Sequence, residues 1–107
     1  MKGFSGGLQQ MMRQANQMQN RMKKLQEELA VREFEGTAGG GAVTVKVNGD
    51  NKVMSLKINP EVVSVDDLEM LQDLIVVAVN EAIKTAKDVS QQEMSKITGG
   101  ANFPGLF

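Results

Sequence analysis

A chain of 107 residues with 41% apolar content can fill one modest core, and aromatics at 4% leave that core to Val, Leu, Ile, Met and Ala. It has no Cys and no His, which excludes a disulfide framework and thiolate chemistry and removes the commonest general base and metal ligand. The net charge of −1 hides an uneven distribution: from Met1 to Gln26 the charges are Lys2, Arg13, Arg21, Lys23 and Lys24, all positive, and from Asn59 to Ile83 they are Glu61, Asp66, Asp67, Glu69, Asp73 and Glu81, all negative.

Residues 1–7 are Gly-rich and lack the apolar run of a signal peptide; they read as a flexible N-terminus. The longest apolar run, Leu74 to Val79, is far too short to span a bilayer, so the expectation is a cytoplasmic chain with no membrane partner. From Leu8 the pattern becomes a heptad seam: Leu8, Met11, Ala15, Met18, Met22, Leu25 and Leu29 are separated by alternating gaps of three and four. A helix is expected from Leu8 to Ala30, with one narrow apolar stripe and a back of Gln, Asn, Arg and Lys that carries no acid before Glu27.

Val31 to Thr37 alternates apolar and charged residues and predicts a first strand, with either of its faces able to meet the core. Gly39-Gly40-Gly41 breaks the chain before Ala42 to Val47, whose Val43, Val45 and Val47 share one face. Asn48-Gly49-Asp50-Asn51 is a hairpin signal, since Asn and Gly tolerate positive φ. The third strand, Lys52 to Asn59, sets Met54, Leu56 and Ile58 opposite Val53, Ser55 and Lys57. Asp66 with Glu69 then resembles a capping box, and helical spacing runs through Leu68, Leu71, Ile75, Ala78 and Ala82. The β-branched centre Leu74 to Val79 favours strand by propensity, but no turn signal interrupts Asp67 to Thr98, so a second helix is expected there. Its centre is apolar all round and calls for cover on two sides, the sheet and a second copy of the chain. After Ala86 the pattern thins, and that end is expected to project and pair with the first helix. Gly99-Gly100 closes the helix and leaves a tail, residues 99–107, in a single domain, residues 1–107.

Little in this chain suggests catalysis, and no enzyme, cofactor, metal or small-molecule substrate is expected. Gly39-Gly40-Gly41 lacks the Lys-Ser/Thr of a phosphate loop and precedes a strand. Asp66 and Asp67 are explained by helix capping and dipole compensation. The Met-rich seam has two readings: a contact with another helix, or an adaptable groove of a small dimeric chaperone or adaptor that binds a protein partner. Phe103-Pro104-Gly105-Leu106-Phe107 either docks on a partner, packs locally or stays loose. The leading functional candidates are basic: Arg13, Arg21, Lys23 and Lys24 fall at heptad positions f, g, b and c, away from the seam, among Gln and Asn that hydrogen-bond phosphates without competing carboxylates. Lys84, Lys87 and Lys96 extend this surface if the two helices pair; the plain alternative is a solvated face. No recognition-helix signature or aromatic stacking platform accompanies them.

Taken in order, the chain resembles the YbaB/EbfC family of nucleoid-associated proteins. The resemblance rests on Met11-Met12-Arg13-Gln14-Ala15-Asn16-Gln17-Met18-Gln19, Met22 to Leu29, the Gly-rich turn before Val43 to Gly49, Ile58-Asn59-Pro60-Glu61, Glu69 to Ile75 with Asn80-Glu81-Ala82, and Pro104-Gly105-Leu106-Phe107. Asn59-Pro60 stands where many members have Asp-Pro. The resemblance implies an α+β domain of order α-β-β-β-α, with a three-stranded antiparallel sheet and long helices projecting as the arms of a tweezers-like homodimer. It also implies binding to double-stranded DNA in the bacterial nucleoid, with weak or broad sequence preference and effects on nucleoid organisation and gene expression. The arms would be Leu8 to Leu29 and Lys84 to Ile97.

Overall fold

The computed structural model describes residues 2–99, with side chains from Gly6 onward; the tail reading for residues 100–107 lies outside them. The order is α1 (Lys2–Val31), β1 (Glu33–Ala38), β2 (Val43–Asn48), β3 (Val53–Ile58), two short 3₁₀ turns (Pro60–Val62 and Val65–Asp67) and α2 (Leu68–Ile97). The expected α-β-β-β-α architecture is therefore present, as an antiparallel sheet of order β1-β2-β3. The chain is long and thin, 79 × 20 × 18 Å, because both helices outrun the sheet.

β2 is the centre of the core. Val43, Val45 and Val47 are fully buried, and each such side chain contributes roughly 1.5–3 kcal/mol through removal from water. β1 adds Phe34, Gly36 and Ala38 on the same side, with Glu33, Glu35 and Thr37 outside; this resolves which face of that segment meets the core. Val31, expected to open the strand, instead ends α1 and is exposed.

α2 covers this face with Ala78, Ala82 and Ala86, all buried. Its approach is close. A Cβ on Gly36 would collide with the carbonyl oxygen of Ala78 and the amide nitrogen of Ala82, so only glycine lets the helix lie there. The helix packs on β1 and β2 and makes little contact with β3. The reason is width: a helix is about 10 Å across and strands lie about 4.8 Å apart, so one helix covers two strands. β3 pairs Ile58 with Val43, Leu56 with Val45 and Val53 with Val47; a bulge opposite Lys46 and Val47 leaves Met54 without a ladder partner. The expected placing of Val53 opposite Leu56 and Ile58 is therefore corrected: paired with Val47, it shares their face.

Three further boundaries differ from expectation. α1 begins at Lys2 rather than Leu8, so residues 2–7 extend the helix; adding turns to an existing helix avoids the nucleation cost that glycines make harder to meet. The N-cap of α2 is Asp67, whose carboxylate accepts from the Met70 N–H at 3.3 Å, rather than Asp66; Asp66 lies in the preceding 3₁₀ turn, capped by Ser64. In the β2–β3 turn the positive φ belongs to Asn51 (62°), while the Asn48 Oδ1 accepts from the N–H groups of Asp50 and Lys52 at 2.9 and 3.1 Å. Gly49 is needed for another reason. Its N–H donates to the Leu29 carbonyl at 3.1 Å, and a Cβ would strike that same group, so the glycine joins the end of α1 to the sheet.

Gly36→Ala should cost about 2–3 kcal/mol, the scale of core overpacking, although alanine is otherwise the better strand residue. Urea unfolding followed by circular dichroism measures this; an unchanged midpoint would show that the helix does not need the close approach.

Candidate nucleic-acid interface

The arm is built by α1 and the distal half of α2. Leu29 anchors the C-terminal end of α1 at the sheet, and Leu25 packs against the same core. Farther out, Met22 on α1 and Met94 and Thr98 on α2 are buried although they lie beyond the sheet, so the two helices cover each other. Because α1 runs toward the sheet and α2 away from it, the pair is antiparallel. The proximal half of the seam is thus consumed in this packing and is not a free groove for a protein partner.

Helix geometry fixes what the opposite side presents. At about 100° per residue, Met18, Met22, Leu25 and Leu29 cluster on one side, and Arg13, Lys23 and Lys24 lie on the far side, at about 130–150° from the centre of that cluster. Arg21 lies on the flank, about 70° from the centre of the seam. All four are exposed. From Arg13 to Lys24 the cations span about 16 Å along the axis, on the order of half a turn of B-DNA. No carboxylate interrupts the face until Glu27 and Glu28, at the root of the arm.

The α2 candidates are placed less uniformly. Lys84, Lys87 and Lys96 are exposed. Lys96 sits in the last turn and pairs with Glu93 at 3.1 Å, so its charge is partly answered within the helix. Lys87 borders an open cleft of about 400 Å³ between Gln26, Gly49, Asn51, Ile83 and Met94. Lys84 lies one turn nearer the sheet, close in sequence to Glu81. The structure therefore brings Lys87 and Lys96 onto the arm, mixed with Glu93 and Asp88, and leaves the α1 face as the continuous cationic surface.

One surface was only half visible in the sequence. By helical spacing Val76 and Val79 share a flank of α2 with Ile83, which faces the β2–β3 turn through the cleft. Alongside lies the uncovered side of β3. Leu56 is 45% and Val76 57% exposed, and Val53 and Leu68 are exposed as well, so apolar side chains of both β3 and α2 remain in water. The all-round apolarity of α2 signalled it from the helix side; the contribution of β3 follows only from the helix covering two strands.

Gly39, Gly40 and Gly41, all with φ between 64° and 93°, form the β1–β2 connection. Among the described residues there is no group of three or more acidic, His or Cys side chains placed to hold a metal, and no helix long and apolar enough to cross a membrane.

Residues 4–101 match the model of the YbaB/EbfC DNA-binding family. A nucleoid-associated protein of Clostridium novyi is 52% identical over 107 residues, covering 98% of this chain and 94% of its own. One from Caldanaerobacter subterraneus is 51% identical, with 98% and 96% covered, and one from Chloroflexus aurantiacus is 54% identical over 98 residues, with 92% and 96% covered. The fold is similar to the crystal structure of an uncharacterised protein from Helicobacter pylori, at a TM-score of 0.66 and 23% identity over 88% of this chain and 92% of that one. Helix, three-stranded sheet, long helix and the matched sequence agree: the chain belongs to the YbaB/EbfC DNA-binding family.

Proposed function

We propose that this protein is a homodimeric, nucleoid-associated protein that binds double-stranded DNA in the bacterial cytoplasm through the cationic faces of its α1 arms. The observation that carries this reading is the exposed, acid-free set of Arg13, Lys23 and Lys24 on the far side of the packed seam of α1, with Arg21 on its flank. Such a face neutralises phosphates and releases their counterions. It offers no bidentate reading of base edges imposed by a groove-fitted module and no stacking aromatics, so the sequence preference is weak or broad. Lys87 and Lys96 supply secondary contacts, with Lys84 at the margin. Binding of this kind acts on nucleoid organisation, and on gene expression through it.

The homodimer forms on the apolar strip of Val53, Leu56, Val76 and Leu68. The support is physical: a monomer leaves these side chains in water beside an unpaired strand edge, and a second copy removes both from solvent. A dimer presents two arms, and the second arm then engages the same DNA at high effective concentration.

Arg13→Glu, Lys23→Glu and Lys24→Glu together should abolish the gel shift of a random duplex while helicity and oligomeric mass stay unchanged, because none of the three is packed. Binding as strong as the parent's would refute the assignment of the arm. Leu56→Asp with Val76→Asp should give a folded monomer by light scattering and weaken DNA binding by at least about tenfold through lost avidity. A persisting dimer would move the interface elsewhere.

A further inference from the structure

Burial along the α1 seam stops where α2 stops. Met18 is half-buried near the last turn of α2, whereas Ala15, Met11 and Leu8, next on the same stripe, are exposed, Met11 at 67% and Leu8 at 53%. Gly99, with φ +67, ends the helix in the left-handed conformation that stops helices and turns the chain out of the helical path. The chain that leaves this point is Gly100-Ala101-Asn102-Phe103-Pro104-Gly105-Leu106-Phe107. We propose that Phe103, Leu106 and Phe107 dock in cis onto the distal seam of α1, over Met11, Ala15 and Leu8, and complete the cover that α2 provides nearer the sheet.

Three arguments select this occupant. The first is reach: the stripe from Met18 to Leu8 is about 15 Å long, and eight residues in extended form span up to about 26 Å. Because α2 runs outward, the chain leaves it at the level where the uncovered stripe begins. The second is chemistry: the segment from Gly100 to Phe107 has no ionisable side chain and holds three of the chain's large apolar residues, so laying it on the stripe desolvates no charged side chain. The third is tethering: the segment is joined to α2 at the level where the uncovered stripe begins, so it meets the stripe at millimolar effective concentration whatever the concentration of the protein.

The absence of cysteine makes the test direct. Met11→Cys with Leu106→Cys is compared with Gln9→Cys with Leu106→Cys, which places the first thiol at the same height on the opposite side of α1. After mild oxidation, non-reducing gels and peptide mass spectrometry read the products. The expected result is an intrachain disulfide in the Met11 pair, formed at least tenfold faster than in the Gln9 pair. Equal rates in the two pairs would overturn the proposal, since an undocked segment samples both sides. Covalent dimers from Met11→Cys alone, or an interchain Met11–Leu106 product, would overturn it in favour of a second copy on the seam. These outcomes are read without DNA and do not depend on the DNA-binding reading.

Discussion

The structure depends on one close approach, that of α2 to the sheet over Gly36. With Ala78, Ala82 and Ala86 facing the strands and no Cβ beneath them, the helix axis sits low enough to seal Val43, Val45 and Val47 from water. The same approach fixes where the helix lies, over β1 and β2, and so determines what remains open on the β3 side. It also directs the rest of α2 beyond the sheet, where its distal half supports α1. Gly49 repeats the device at smaller scale, by letting the end of α1 sit against the β2–β3 turn. Two glycines without side chains thus set the positions of both helices.

Charge segregation then follows from position rather than from net charge. Lys and Arg without acids occupy the outer face of α1, while Glu61, Asp66, Asp67 and Glu69 gather around the start of α2, at the end of the helix remote from the arm. A protein with net charge −1 therefore carries a cationic face along α1, and its acidic end lies away from that face. Packing serves the same end: Met22 and Leu25 are committed to the seam, so the helix cannot rotate its cations inward without exposing them.

Much of this was legible in the residues because the signals were periodic. The alternation of Val43, Val45 and Val47 named the central strand, the heptad from Leu8 to Leu29 named the first helix and, from Met18 to Leu29, its buried side, and flanking helical spacing overrode the β-branched run at Leu74 to Val79. What was not legible depends on distances between elements. Val31 fits a strand by its neighbours, yet the helix ends only after it, because its carbonyl ladder continues to the turn at Arg32. Gly49 looked like a turn residue chosen for positive φ; its task is to leave room for a carbonyl from another element. The openness of β3 comes from the ratio of helix width to strand spacing, which no pattern within β3 encodes. The basic residues are candidates from the absence of acids among them; the ion pair of Lys96 to Glu93 and the direction of α2 are features of Lys84 and Lys96 that no sequence pattern displayed.

The central claim, that paired α1 arms hold DNA through phosphate contacts, is tested most directly by the salt dependence of affinity. Each neutralised phosphate contributes about 0.9 to the slope of log K against log salt. Removing Arg13 as Arg13→Ala from a dimer with both arms on DNA removes two such contacts, so the slope should fall by about 1.8. A fall of that size in titrations between low and physiological salt supports both the arms and their pairing. A steep slope that Arg13→Ala leaves unchanged would contradict the account.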